Sequence, residues 1–105
     1  MKKNNIVAII QARMQSIRLP KKVLMKVNDI PLLKYQIDRV NKSSLVNKIV
    51  IATSIKDYDD EIEDFCRQNQ INCFRGSEED VLMRYFEYAR KFKPDIVVRL
   101  TGDCP

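Results

Sequence analysis

From Gln11 to Lys22 the chain reads Gln-Ala-Arg-Met-Gln-Ser-Ile-Arg-Leu-Pro-Lys-Lys, and four of these side chains are cations: Arg13, Arg18, Lys21 and Lys22. Arginine offers a planar fork of donors that matches phosphate oxygens, whereas lysine acts as a point charge. Such a loop suits an anion with several phosphate oxygens. It lacks the glycines of a Walker-type cradle, since the chain holds only Gly76 and Gly102. At the far end, Thr101-Gly102-Asp103-Cys104-Pro105 sets a carboxylate directly after a glycine. A carboxylate and a cationic loop that meet in one crevice fit a nucleoside triphosphate with its metal ion. There is no histidine. That excludes imidazole acid–base catalysis, Ser-His-Asp and Cys-His triads within the chain, and most transition-metal sites.

These residues need a scaffold that brings them together. Ile6 to Ile10, Ile49 to Ala52 and Ile96 to Leu100 are short apolar, β-branched runs of the kind buried on both faces of a sheet, the third with one polar interruption. Asn72 to Phe74 reads as a shorter strand. Pro31 suits a first helical position, with Leu33, Ile37 and Val40 at helical spacing behind it. Asp57 to Glu61 suits a helix N-terminus, followed by the stripe Ile62, Phe65 and Cys66. Ser77 can cap a third helix whose expected buried face is Leu82, Tyr85, Phe86, Ala89 and Phe92, ended by Pro94. This alternation builds an α/β fold: a mostly parallel sheet with flanking helices and the Ile6–Ile10 strand central. In such sheets ligands sit outside the carboxyl ends of the strands, where both the cationic loop and Asp103 are expected.

At 105 residues the chain reads as a single nucleotide-binding domain, residues 1–105, without repeat, low-complexity segment or linker. Composition, 45% hydrophobic and 31% charged, is that of a globular protein, and no apolar run approaches the roughly 20 residues that span a bilayer. Only five apolar residues follow the basic amino terminus, so export is not expected and the location reads as cytoplasmic. Cys66, Cys73 and Cys104 are then expected to stay reduced. The formal charge of +5 divides unevenly: residues 1–50 hold +9, residues 51–80 hold −6 and residues 81–105 hold +2. The basic half favours a polyanion or phosphate-bearing ligand. It contains one aromatic, Tyr35, so the stacking platforms of a nucleic-acid binder are missing and no nucleic-acid partner is expected. Each signal also has an ordinary alternative. Loop cations are often solvated surface, Asp103 can be a turn residue, Ser77 a cap, and Thr53-Ser54 either a turn or a ligand contact.

Taken jointly, four segments narrow the choice. Ala12 to Leu24, then Ile51-Ala52-Thr53-Ser54, then Phe74 to Tyr85, then Val98 to Pro105 resemble, in order, the signature segments of sugar cytidylyltransferases. The resemblance is nearest to the spore coat polysaccharide biosynthesis F-type branch, related to the acylneuraminate and KDO cytidylyltransferases. It implies a Rossmann-like nucleotide-diphospho-sugar transferase fold, CTP as donor, a sugar as acceptor and Mg²⁺ as cofactor. It further implies that Arg13, Ser16, Arg18 and Lys22 grip the triphosphate, with Arg13 and Lys22 in catalytic roles. Asp103 would hold the metal, and Gly76, Ser77 and Asp80 would lie near the nucleotide. Gln15 and Lys21 stand where the family usually has glycine, and Lys21 would add charge to the grip. The family also continues beyond this length, so the chain corresponds to an amino-terminal half, inactive alone and open to self-association as a homodimer. A nucleotide-binding module without catalysis is the alternative reading, and a basic nucleic-acid-binding domain is a weaker one.

Overall fold

The computed structural model describes residues 5–14, 22–76 and 81–101. In chain order they form β1 (Ile6–Gln11), a 3-10 turn (Lys22–Leu24), β2 (Lys26–Val27), β3 (Ile30–Pro31), α1 (Leu32–Asn41), β4 (Lys48–Ser54), a second 3-10 turn (Asp57–Asp59), α2 (Asp60–Gln68), β5 (Asn72–Gly76), α3 (Val81–Phe92) and β6 (Ile96–Thr101). The main sheet has the order β5-β4-β1-β6, with every pairing parallel. The Ile6–Ile10 run is therefore central and flanked by the two strands expected beside it.

Alternation along the strands sorts the core into two layers. Ile10 and Ile51 face α1 and α2, packing with Leu33, Ile37, Ile62, Phe65 and Cys66. Val7, Ile9, Val50 and Ala52 face the other way, against Tyr85 and Tyr88 of α3 and Phe74 of β5. Fully burying one such aliphatic side chain is worth about 1.5–3 kcal/mol, which is why these β-branched runs take the centre of the sheet.

Three local features differ from the sequence reading. Pro31 precedes α1 rather than opening it, because it pairs with Lys26 in a small antiparallel hairpin and keeps an extended ψ of 144°. That hairpin turns on Asn28 and Asp29, both at positive φ (54° and 66°), a geometry that short polar side chains tolerate and two-residue turns demand. Along α3, Tyr85 and Tyr88 are the buried pair, whereas Phe86 and Phe92 are 61% and 46% exposed. The sheet touches a narrower strip of the helix than its apolar stripe. Phe92 instead stacks on Tyr88 at 4.6 Å, with the Lys48 and Lys91 ammonium groups 5.5 and 5.3 Å from its ring centre.

α2 ends in a hydrogen-bonded αL turn: Gln70 sits at φ 57°, and the Ile71 amide donates to the Cys66 carbonyl at 2.8 Å. β6 pairs with β1 alone among the described strands, and Ile96 and Val98 on it are exposed, so the Ile96–Leu100 run is not buried on both faces as its apolar pattern suggested. No helix among the described residues is long and apolar enough to cross a membrane.

Candidate functional site at the carboxyl edge of the sheet

The carboxyl ends of β1, β4, β5 and β6 lie side by side. The register pairs Gln11 with Ala52 on one side and with Thr101 on the other, and Ser54 with Gly76. The chain leaving β1 into the cationic loop is thus adjacent to the strand that leads into Gly102 and Asp103. Beyond β1 the pairing persists one step further, as the Ala12 amide donates to the Ala52 carbonyl at 3.0 Å. Arg13 is exposed between two neighbours, Ala12 and Met14, that are each 3% exposed. Gly76 ends β5 at the same edge, buried, and its carbonyl accepts the Ile55 amide at 3.1 Å.

Of the residues singled out from sequence, Arg13 and Gly76 are thus brought to one edge. Lys22 opens the 3-10 turn after the loop. Its side chain, together with Ser16, Arg18, Lys21, Ser77, Asp80 and Asp103, lies outside the described residues.

Behind this edge runs a polar network that sequence reasoning missed. Asp59 is completely buried. One of its carboxylate oxygens accepts the Met14 amide at 2.8 Å, and the other accepts the Ser54 hydroxyl in a short hydrogen bond. Ser54 Oγ in turn accepts the Lys56 amide at 3.1 Å. Arg75 closes the far side. Its Nε donates to the Ser54 carbonyl and its Nη2 to the Lys56 carbonyl, each at 2.7 Å, while Nη1 meets Asp60 at 2.7 Å and Glu63 at 3.2 Å. Burial alone would pull the Arg75 guanidinium down, but Asp60 and Glu63 outweigh it and hold it above its ordinary pKa. Thr53 is also fully buried, and its hydroxyl oxygen has no hydrogen-bond partner among the described residues. Within a run of five residues carrying four acids (Asp57 to Glu61), nothing in the sequence marks Asp59 as the inward one. That Arg75 is the one charged residue of β5, beside Cys73 and Phe74, was the available signal for it.

On the opposite side, the Tyr85 hydroxyl donates to the Leu100 carbonyl at 3.1 Å and the Arg99 guanidinium lies 5.5 Å from the Tyr85 ring centre, which anchors α3 to the end of β6. Cys66 and Cys73 are free thiols between α2 and β5. The hydrogen bond to Cys73, with burial second, pushes the Cys66 thiol up, while accepting that bond lowers Cys73. No cluster of three or more metal-ligating side chains occurs among the described residues.

Among the described residues, the carboxyl edge thus brings together the exposed Arg13, the buried Gly76 and a buried polar network, and strand ends of parallel sheets are where ligands sit. Comparison with known proteins gives it a family. The chain is 45% identical over 106 residues to the spore coat polysaccharide biosynthesis protein SpsF of Bacillus subtilis, covering 97% of this chain and 44% of that protein. A cytidylyltransferase from Leptospira borgpetersenii superposes with a TM-score of 0.88 at 37% identity, over 97% of this chain and 43% of its own. A CMP:2-keto-3-deoxy-manno-octonic acid synthetase solved in complex with CTP superposes with a TM-score of 0.75 at 25% identity, over 94% of this chain and 40% of its own. The chain therefore spans less than half the length of these relatives. Because the cytidylyltransferase family profile matches residues 7–105, from the first strand through the segment that carries Asp103, the chain belongs to the cytidylyltransferase family.

Proposed function

We propose that this chain supplies the CTP-binding part of a nucleotidyltransferase that moves a cytidylyl group from CTP to a sugar hydroxyl and releases pyrophosphate. The observation that carries the reading is the β1–β6 register, in which Gln11 pairs with Thr101. It sets the start of the cationic loop beside the segment leading to Asp103, in a chain that matches the family along nearly its whole length. The structure of a relative in complex with CTP supports the choice of nucleotide.

In the proposed reaction the sugar hydroxyl oxygen bonds to the α-phosphorus, the bond from that phosphorus to the bridging oxygen of the β-phosphate breaks, and the hydroxyl proton passes to solvent. The protein's part in such a transfer is alignment and charge neutralisation. Arg13, exposed on a backbone tied at both neighbours, is suited to fork onto phosphate oxygens. Ser16, Arg18, Lys21 and Lys22 complete the grip on the triphosphate in this proposal, and Arg13 and Lys22 neutralise charge growing on the leaving pyrophosphate. Gly76, Ser77 and Asp80 flank the nucleotide from the end of β5. Asp103 offers a hard oxygen ligand that would hold Mg²⁺, whose chemistry there would be Lewis-acid withdrawal of charge from the phosphates. The proposal places the protein in the cytoplasm, in keeping with the free thiols Cys66 and Cys73. It also includes self-association through β6, supported by the exposed side chains of Ile96 and Val98.

Titration with CTP, other nucleoside triphosphates and an oligonucleotide, each with and without Mg²⁺, tests the reading. Saturable, Mg²⁺-strengthened binding that prefers CTP is expected. Equal affinity for every polyanion would contradict it. Pyrophosphate release that requires CTP and a sugar separates a transferase from a module that only binds.

A further inference from the structure

We infer that Asp59 is a positioning residue for the phosphate-binding loop: its buried carboxylate fixes the backbone from which Arg13 projects. The inference rests on the reading that this loop holds the triphosphate.

A carboxylate is almost never fully buried unless its oxygens are satisfied, because desolvating the charge is costly. Asp59 has no exposed surface, and what satisfies it lies on two different segments. One partner, the Ser54 hydroxyl, belongs to the neighbouring strand end. The other, the Met14 amide at 2.8 Å, lies 45 residues away in the chain and just past the end of β1. With the Ala12 amide tied to the Ala52 carbonyl, Arg13 is the exposed residue between two fixed, buried ones. Two donors from separate segments converge on this one buried carboxyl group, so the backbone at Met14 is tied to the β4 side.

Asp59 is itself held. The Asp57–Asp59 turn follows Lys56, whose amide donates to Ser54 Oγ and whose carbonyl accepts from Arg75. The chain of restraint runs Arg75, Ser54 and Lys56, Asp59, Met14, and ends at Arg13. A fork that must meet phosphate oxygens loses affinity when its base is loose, even if every contacting side chain is present. Asp59 thus acts on the ligand through Met14 and Arg13, without touching it.

Asp59→Asn keeps the shape but leaves one oxygen and an amide group where two acceptors stood, so the Met14 and Ser54 donors are no longer both served. Two readouts separate loop positioning from general support. In calorimetric titrations, Asp59→Asn is expected to weaken CTP binding by about tenfold while cytidine affinity changes by less than about twofold, since only the phosphates meet the loop. Amide hydrogen exchange at Met14 is expected to be slow in the wild type and to accelerate in the variant, whether or not a nucleotide is present. A folded Asp59→Asn that binds CTP like the wild type, or that loses CTP and cytidine affinity equally, would overturn the inference. Should Asp59→Asn fail to fold, Ser54→Ala and the wild-type exchange rate decide. A CTP-selective loss in Ser54→Ala supports the inference, and a Met14 amide exchanging as fast as open chain in the wild type overturns it. Wild-type chain that binds no CTP would remove the proposed function, and this inference with it. CTP binding weakened by Arg13→Ala but indifferent to Asp59→Asn would remove this inference alone.

Discussion

The two edges of the parallel sheet are both rich in polar groups, yet they are built differently. At the amino edge the bonds are exposed stitches on the surface. The Asn5 amide donates to Asp95 at 2.6 Å, the Ile6 amide to the Asn47 side chain at 2.7 Å, and the Asn47 and Asp95 amides return to the Ile6 and Asn5 carbonyls, each at 2.9 Å. The participating side chains are exposed, so water can replace any of them. At the carboxyl edge Asp59, Ser54 and Thr53 are buried, and one carboxylate reaches from the β4 side to the loop beyond β1. Water has no access to repair a broken bond there. An edge that only closes the sheet can be assembled from replaceable contacts. An edge that holds a loop for a charged ligand, as proposed for this one, needs fixed ones.

Substitutions should therefore cost more at the carboxyl edge. Asp59→Ala leaves the buried Met14 amide and Ser54 hydroxyl without their acceptor, and a loss of about 3 kcal/mol in unfolding free energy is expected from denaturant titration. Arg75→Ala removes four donated hydrogen bonds, two to carbonyls and two to partly exposed acids, and about 2 kcal/mol is expected by the same measurement. Asn47→Ala at the amino edge should cost no more than about 1 kcal/mol, because solvent can serve the Ile6 amide. A loss at Asn47 equal to that at Asp59 would erase the distinction between the edges. A smaller effect of opposite sign is expected near the amino end of β5, where Gln70→Gly relieves a positive φ and should stabilise by about 0.5–1 kcal/mol, read from the shift in thermal midpoint.

The central strand and its two neighbours were legible from apolar strand faces together with the topology that the family resemblance implies. Ile6–Ile10 and Ile49–Ala52 are apolar on both faces, and a strand with two apolar faces has to be interior. The α2 stripe of Ile62, Phe65 and Cys66 was legible for the same reason, all three being buried. On α3 the pattern misled. Periodicity gives the direction of an apolar stripe but not the width that the sheet covers, so Phe86 and Phe92 were expected inside and Tyr88 was not. The hairpin at Asn28 and Asp29 carried a readable turn signal in its two short polar residues. At the site, residue types pointed to the loop leaving β1, and of the residues they singled out the described structure brings Arg13 and Gly76 to one edge. Asp59 could not be read out, because its role depends on a contact with Met14 across 45 positions that no spacing rule encodes.

The thiols offer a finer probe of the same network's border. Cys73, lowered by the hydrogen bond from Cys66, should alkylate at lower pH than Cys66, whose thiol is pushed up by that bond and by burial. Peptide mapping after brief alkylation across a pH series would show this order, and equal labelling of the two would contradict the arrangement at the α2–β5 contact.

The account's central claim is that the cationic loop leaving β1 grips the triphosphate of CTP. Calorimetric titration of CTP in Mg²⁺ into the wild type and Arg18→Ala tests it most directly. Loss of one charge-assisted contact, worth roughly 1.5–3 kcal/mol, predicts saturable wild-type binding that weakens by about ten- to a hundredfold in the variant. Identical dissociation constants for the two proteins, or wild-type binding of CTP no tighter than cytidine, would show that the loop is ordinary surface and contradict the account.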